Sequence, residues 1–495
     1  MSSGWIRASE IVTPLFGWVL LTSPFWASFL FPTTIVYFIL VFDIYFLYKA
    51  ASLGVNSIRS YLKIRQTVKV DWLKKIGQEG LDGTGVRHIV FIPTYKEPET
   101  ILERTLSFLS EQEYPAKNLV IVLAGEDRDQ GFTTKALDLK NKFGGHFSDF
   151  LITNHTLKPG EVAGKSSNQN YAATIVTKFI EEKQLDKNLL TLTSCDADVS
   201  IHPKYFSYVT YLFLKNPNRY NRFWQGALVF YNNIWRVPLP VRVVHTLYSV
   251  MGIAELMRAK SNFIYSTYTG SWLLLEKTGF WDPDVISEDW HLFFKAFFAT
   301  GGQVELEPVF LPLYGDATEG RNYWNSLIAQ YQQNRRWAWG VVDISYAISQ
   351  FLKHRRSVSI PNFILRFVRA LEQHLLWPVN WWVITLGASL PPLLNGRLRY
   401  TTLGYYLPKL SGLILTGSTA FLICIVIIDW LLRPPRPKNI KRPFLLLTIL
   451  QYVTLPITGF IFGALPGMDA HTRLLFGKRL EYKVTEKFDD SEKNH

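Results

Sequence analysis

Asp196 and Asp198 stand one small residue apart, directly after the apolar run at residues 189–192. In a strand, residues two apart share a face, so the sequence predicts that both carboxylates project together. Two adjacent carboxylates repel unless positive charge lies beside them, and a hard divalent cation held by oxygen ligands and substrate phosphates supplies it. A solvated Asp-x-Asp turn is the plainer reading. A second acidic pair, Glu288 and Asp289, lies among Val285, Ile286 and Trp290 at the start of a helix predicted over 291–300. Ser287 and Asp289 could simply cap that helix, whereas a partly desolvated carboxylate there could serve as a general base. A third cluster runs from Gln332 and Gln333 through Arg335, Arg336 and Trp337 to Trp339. Guanidinium groups beside indoles suit a diphosphate and the face of a sugar ring, or else the basic start of an interfacial helix.

The elements that must position these groups read as an α/β domain. Strands are predicted at 88–93, 119–123 and 189–193, with helices at 97–112 and 168–183. Strands alternating with helices predict parallel pairing, with ligands beyond the carboxyl ends of the strands. Polar residues follow each of those ends: Thr94, Tyr95, Lys96 and Glu97; Gly125, Glu126 and Asp127; Asp196 and Asp198. The three ends are expected to face one crevice.

Long uncharged stretches flank this domain. Residues 11–42 carry no charge, which exceeds one span and predicts two helices turning near Phe31, Pro32 and Thr33. The stretch is too long for a cleaved signal peptide and lacks its cleavage site. Asp43 is expected to face other helices. Lys49, Arg59, Lys63, Arg65 and Lys69 place the following domain in the cytoplasm. Apolar residues at 337, 341, 344, 348, 351 and 352, followed by the basic cluster 353–356, predict an amphipathic helix on the membrane surface. Further uncharged runs occupy 375–396, 410–428 and 443–468. The chain therefore divides into two N-terminal spans (11–53), a soluble domain (66–340), interfacial helices (341–374), a C-terminal membrane region (375–468) and a basic tail (469–495). Aromatic residues make up 15%, as in proteins with interfacial belts. The formal charge of +13 fits an anionic membrane surface or phosphate-bearing substrates, with nucleic acid ranked last. Two cysteines exclude a disulfide framework, and Cys195 reads as a small buried residue.

Together these residues resemble the membrane-bound members of glycosyltransferase family 2, the cellulose, chitin and hyaluronan synthases, over roughly 87–339 and the flanking spans. The ordered set is Asp-x-Asp at Asp196 and Asp198, an acidic pair ending in Asp289, then Q-x-x-R-W at Gln333, Arg336 and Trp337. The resemblance implies an α/β GT-A-like (Rossmann-like) cytoplasmic domain with flanking transmembrane helices. It implies that Thr94, Tyr95 and Glu97 bind the nucleotide, with Glu126 or Asp127 at the second strand end. Lys165, in the stretch Gly164 to Asn168, would contact the diphosphate. Asp198 would hold Mg2+ or Mn2+, with Asp196 on the metal or nucleotide, and Arg336 would help neutralise the leaving group. Asp289 would be the catalytic base. Gly270, Ser271, Gln333 and Trp337 would line the acceptor site. Tyr482, Val484, Thr485 and Lys487 are similar to the gating loop of cellulose synthases. Five spans would put that tail outside, whereas a gating loop and the tail's basic residues require the inside. Pro456 and Gly459 interrupt 443–468, and a cytoplasmic tail is expected.

The expectation is a multi-pass protein of the plasma membrane, an inverting enzyme that extends a polysaccharide from a nucleotide diphosphate sugar, a UDP-sugar being expected. A single-transfer enzyme acting on a lipid-linked or membrane acceptor is the alternative, and a catalytically silent scaffold is the reading from another class. The expected partners are the donor, a glycan or lipid-linked acceptor and the lipid bilayer, without nucleic acid.

Overall fold

The computed structural model describes residues 3–435 and 450–480. The uncharged N-terminus forms two helices, α1 (Ser3–Leu30) and α2 (Pro32–Lys69), broken at Phe31. Pro32 opens α2, where its missing N–H costs nothing.

A short helix, α3 (Trp72–Gln78), leads into the α/β domain. Its strands are β1 (Arg87–Pro93), β2 (Leu119–Glu126), β3 (Asp149–His155), β4 (Leu190–Ser194), β5 (Ser200–Ile201), β6 (Arg222–Val229), β7 (Tyr268–Ser271) and β8 (Glu305–Tyr314). Its helices are α4 (Glu99–Ser110), α5 (Phe132–Phe143), α6 (Lys165–Glu182), α7 (Tyr205–Lys215), α8 (Leu239–Glu255), α9 (Trp272–Thr278), α10 (Glu288–Ala299) and α11 (Tyr323–Ala338). The strand order is β3-β2-β1-β4-β7-β6-β8-β5. In β1, Ile89 and Phe91 enter the core on one face while Val90 and Ile92 enter the core on the other. A strand covered on both faces must be apolar throughout, which is why these runs do not alternate.

Parallel pairing holds for β3, β2, β1 and β4 and then breaks, because β7 runs antiparallel to both β4 and β6. The sheet is mixed, since an antiparallel neighbour needs no helical crossover. β7 is also short, and Gly270 admits the ring of Phe223, whose Cε1 would lie 2.9 Å from an added Cβ.

Beyond the domain come α12 (Val342–His354), α13 (Ile360–Trp382), the short α14 (Leu390–Leu394) and α15 (Gly396–Arg399), and α16 (Thr402–Leu432). The apolar stripe expected over 337–352 is divided: Trp337 belongs to the last turn of α11, and a tight 3-10 turn, Trp339–Val341, precedes α12. Residues 375–396 do not form one helix; a π turn at Val383–Gly387 and the pair Pro391 and Pro392 break them up. Four helices among the described residues are long and apolar enough to cross a membrane: Gly4–Leu30, Pro32–Lys69, Thr402–Leu432 and Gln451–Leu475. α2 and α16 pack together, and the buried Asp43 accepts a 2.6 Å hydrogen bond from Ser411. That bond satisfies one oxygen of a carboxylate that lipid could not serve. Residues 443–449 and the gating residues Tyr482, Val484, Thr485 and Lys487 lie outside the described residues.

Candidate functional site

A cavity of about 1090 Å³ begins at the carboxyl ends of β1, β2 and β4 and continues between α2, α13 and α16. At its sheet end, β1 finishes in a turn where Lys96 takes a left-handed conformation (φ 65°). The turn folds the buried Glu97 carboxylate back to accept from Thr94 Oγ1 at 2.7 Å and from the Tyr95 amide at 2.5 Å. The ring of Tyr95 faces the Arg128 guanidinium at 4.6 Å, and Arg128 also pairs with Glu126. Glu126 is buried and lines the cavity; Asp127 is exposed. Burial pushes the Glu126 carboxyl above the usual range, against the pull of Arg128.

Gly164, with φ 150°, sets the sharp entry to α6 that a side chain would resist, and Lys165 opens the helix. The Lys165 ammonium pairs with Asp196 at 2.7 Å and Glu288 at 2.9 Å, and donates to the Ser266 carbonyl at 2.7 Å. Burial works against its charge, yet Asp196 and Glu288 hold its pKa well above the usual lysine value. Asp196 and Asp198 both line the cavity, but not from a strand. β4 ends at Ser194, and the pair occupies the turn after it, where Val199 N donates to Asp196 O. Strand alternation therefore does not place them; the turn does. The Asp198 side chain is buried, while its carbonyl accepts from Arg104 and Asn232, both at 3.2 Å.

Asp289 belongs to the first turn of α10. Its carboxylate accepts from the Trp290 amide at 2.8 Å and from the Ser266 amide at 3.3 Å. Burial and then the neighbouring Glu288 charge push its pKa up to about 7, with Lys165 opposing. A carboxylate poised there can take a proton near neutral pH. Ser287 stands at the N-cap but makes no side-chain cap bond.

Gln333, Arg336 and Trp337 share one face of α11 and line the same cavity. Gln333 Oε1 accepts from Thr318 at 2.5 Å. Trp337 lies edge-on to Tyr248, with centroids 5.5 Å apart. Further along, the cavity is lined by one stripe of α13: Gln373, His374, Trp377, Asn380 and Trp381. Both ring nitrogens of the buried His374, and Asn380 Oδ1, have no hydrogen-bond partner among the described residues. Such buried groups are costly unless a ligand satisfies them.

Not every expected residue reaches the cavity. Gly270 and Ser271 are built into β7, buried between β4 and β6, and are not part of the cavity wall. Their expected acceptor role has no geometric support, because the strand's pairing turns them into the sheet. Among the described residues, no group of three or more His, Cys, Asp or Glu is placed to hold a metal.

Two further residues emerge here, one of them from the acidic pair that ends in Asp289. Glu288 is the second partner of Lys165. Ser266 holds a left-handed backbone (φ 57°) and connects three functional groups: its hydroxyl bonds Asp196, its carbonyl accepts from Lys165 and its amide donates to Asp289. A strained non-glycine residue at such a junction is a functional signal, but only coordinates reveal it.

Three kinds of comparison place the chain among known proteins. A family described as glycosyl transferase family group 2 matches residues 192–461, more than half of the 495. No curated protein matches. Among solved structures, the chain is similar to a mannosyltransferase from Pyrobaculum calidifontis in complex with GDP-Man and Mn2+. That likeness has 18% identity and TM-score 0.43, covering 79% of this chain and 99% of that one. It is also similar to S. aureus TarS 1-349, at 14% identity and TM-score 0.32, covering 68% and 90% of the two chains. GalNAc-T7 with UDP, GalNAc and Mn2+ aligns at 12% identity and TM-score 0.33, covering 60% and 59%. These structural likenesses are distant, and no residue role is read from them. The extent of the family match decides the assignment: the chain belongs to glycosyl transferase family group 2.

Proposed function

We propose that this protein is an inverting, multi-pass membrane glycosyltransferase that takes its sugar from a nucleotide diphosphate sugar, a UDP-sugar being expected. The observation that carries the reading is one cavity that holds Asp289 together with two unlike surfaces. Thr94, Tyr95, Glu97, Glu126, Lys165, Asp196 and Asp198 line it around the strand ends; Gln333, Arg336 and Trp337 line it from one face of α11, next to the α13 stripe.

In this reading the nucleotide occupies the crevice at Tyr95 and Glu97. The Lys165 ammonium exchanges its contacts with Asp196 and Glu288 for diphosphate oxygens, and Arg336 adds positive charge to the leaving group. Asp289 takes the proton from the acceptor hydroxyl as that oxygen bonds to the anomeric carbon and the bond to the diphosphate oxygen breaks. Attack from the face opposite the leaving group inverts the configuration. Mg2+ or Mn2+ fits the donor end on the chemistry of its wall. Of the carboxylates that line it, Glu126, Asp316 and Glu319 pair with Arg128, Arg104 and Arg236, and Asp196 and Glu288 share Lys165, so a diphosphate brought among them needs accompanying positive charge. Asp198 and Asp196 would hold the ion, which supplies charge neutralisation to the diphosphate.

The acceptor form follows from the second surface. Indoles alternating with His374, Gln373 and Asn380 suit the faces and hydroxyls of sugar units, which favours a growing polysaccharide and a processive synthase. Apolar walls from Phe46, Leu415, Phe421 and Ile425 favour the second form, single transfer to a lipid-linked acceptor. The basic residues Arg59, Lys63, Arg65 and Lys69 at the C-terminal end of α2 support a cytoplasmic catalytic domain, in the plasma membrane, flanked by interfacial helices at 341–374.

Screening nucleotide sugars for metal-dependent nucleotide release by the full-length enzyme, then measuring product length with labelled donor, tests the proposal. Products of many sugars support the synthase; a single added sugar selects the lipid-linked form. Absence of transfer with every donor, and no response to Asp289→Asn, would leave the catalytically silent scaffold.

A further inference from the structure

At the membrane side of the cavity, three cations from three separate elements meet. Lys49 comes from α2, Arg258 from the 3-10 turn after α8, and Arg369 from α13; all three line the cavity. Lys49 pairs with Glu372 at 2.7 Å. Arg369 bridges Glu255 at 2.7 Å and Glu372 at 3.3 Å. Arg258 approaches Glu255 at 3.8 Å and donates to Ser52, and Tyr45 donates to Glu372. Three cations thus share two carboxylates, and their other contacts are to neutral groups: the Ser52 hydroxyl, the Tyr45 ring and the Gln373 amide oxygen. Excess charge in a partly buried cluster is costly unless an anion joins it.

The neighbouring walls restrict which anion. Phe46 and Leu53 of α2, and Leu415, Phe421, Leu422 and Ile425 of α16, also line the cavity. Both α2 and α16 are apolar enough to cross a membrane. A water-soluble phosphate gains nothing from those side chains, whereas a hydrocarbon chain does. On α13, the polar and indole stripe follows Arg369 and Glu372 in the cavity wall, and its His374 lies edge-on to Trp290, the chain neighbour of Asp289. Apolar, cationic and hydroxyl-binding surfaces therefore share one cavity.

We propose that Lys49, Arg258 and Arg369 seat the phosphate of a lipid-phosphate acceptor, with its hydrocarbon tail between α2 and α16 and its hydroxyl-bearing end toward Asp289. The assignment of the far end as the reacting end rests on the glycosyltransferase reading; the phosphate seat does not.

The test uses the full-length protein in detergent micelles, with binding read by native mass spectrometry. The probes are a long-chain isoprenyl monophosphate, the isoprenyl alcohol of equal length, and inorganic phosphate. The isoprenyl phosphate should bind about tenfold or more tightly than the alcohol, as expected for charge-assisted hydrogen bonds in a buried site. The double variant Lys49→Met with Arg258→Gln should abolish that preference, and Arg258→Lys alone should retain most of it. Equal binding of alcohol and phosphate would overturn the proposal. So would inorganic phosphate binding as tightly as the lipid, or an unchanged preference in the double variant. The wild-type comparison stands even where the double variant does not fold. Binding of UDP and GDP with Mn2+, measured in parallel, separates the two readings: its absence would count against the donor site and leave the phosphate seat intact.

Discussion

The two ends of the cavity are built from different materials and short of different things. The sheet end consists of turns at strand ends, and its wall is dominated by carboxylates, with Lys165 already neutralised by Asp196 and Glu288. The membrane end consists of helices. It carries three cations against two carboxylates, together with indoles and a buried His374 that no described residue satisfies. At one end an incoming anion therefore needs added positive charge, because the cations there are already paired; the other end has one cation in excess and lacks hydrogen-bond partners. A metal-accompanied diphosphate and an amphiphilic, hydroxyl-bearing acceptor are the ligands that would correct each deficit. Asp289 lies where the two meet, which is where a proton must leave one substrate as a bond to the other forms.

The strongest way to break this contrast is to remove the group between the ends. Asp289→Asn should lower transfer by about 10²–10⁴-fold, the range for a lost general base. Nucleotide binding measured by calorimetry should persist; an active variant would move the chemistry elsewhere. Next in size, Asp198→Asn should weaken metal-dependent nucleotide binding by about tenfold or more, as for loss of a charged hydrogen-bonding or ligand group. Chelation of the wild type should have a similar effect, while binding of an acceptor analogue at the other end should not change. Intact nucleotide affinity in the variant would mean that the acid-rich wall does not depend on a cation.

Ser266→Ala removes one hydroxyl contact to Asp196 and keeps the backbone that carries Lys165 and Asp289. A loss of about fivefold in kcat is expected, near the value of one hydrogen bond. Loss confined to KM would assign Ser266 to binding alone. At the membrane end, Asn380→Ala should raise acceptor KM by about fivefold with donor KM unchanged; a change in donor KM instead would erase the division. The smallest effect is on pH. Asp289 must be ionised to accept a proton, so activity should rise with pH through about 7. Glu288 helps hold that pKa up, so Glu288→Gln should move the acid limb to lower pH. A limb that stays in place or moves upward would exclude Glu288 as a source of the shift.

Much of the donor end was legible in the residues themselves. Apolar runs buried on both faces read as β1, β2 and β4, and polar clusters at their ends read as a crevice. The pair at Asp196 and Asp198 reached the cavity although its predicted strand geometry did not form. The choice between Glu126 and Asp127 needed coordinates, because adjacent acidic residues look alike until one is buried and the other exposed. Gly270 and Ser271 went the other way: the family resemblance implied an acceptor surface there, but both lie in β7, which pairs with β4 and β6, and neither lines the cavity.

By itself the sequence determined which segments could enter a membrane, which strands were covered on both faces and which carboxylates and cations were available for chemistry. Those are local properties, set by side-chain type and by the periods of helix and strand. The tertiary structure decided that Ser266 joins Lys165, Asp196 and Asp289, that Glu288 shares Lys165, and that a stripe of α13 faces the acid-rich end across one cavity. Periodicity fixes which face of an element is apolar. The surface that meets that face depends on packing between residues far apart in the chain, and no local pattern encodes it.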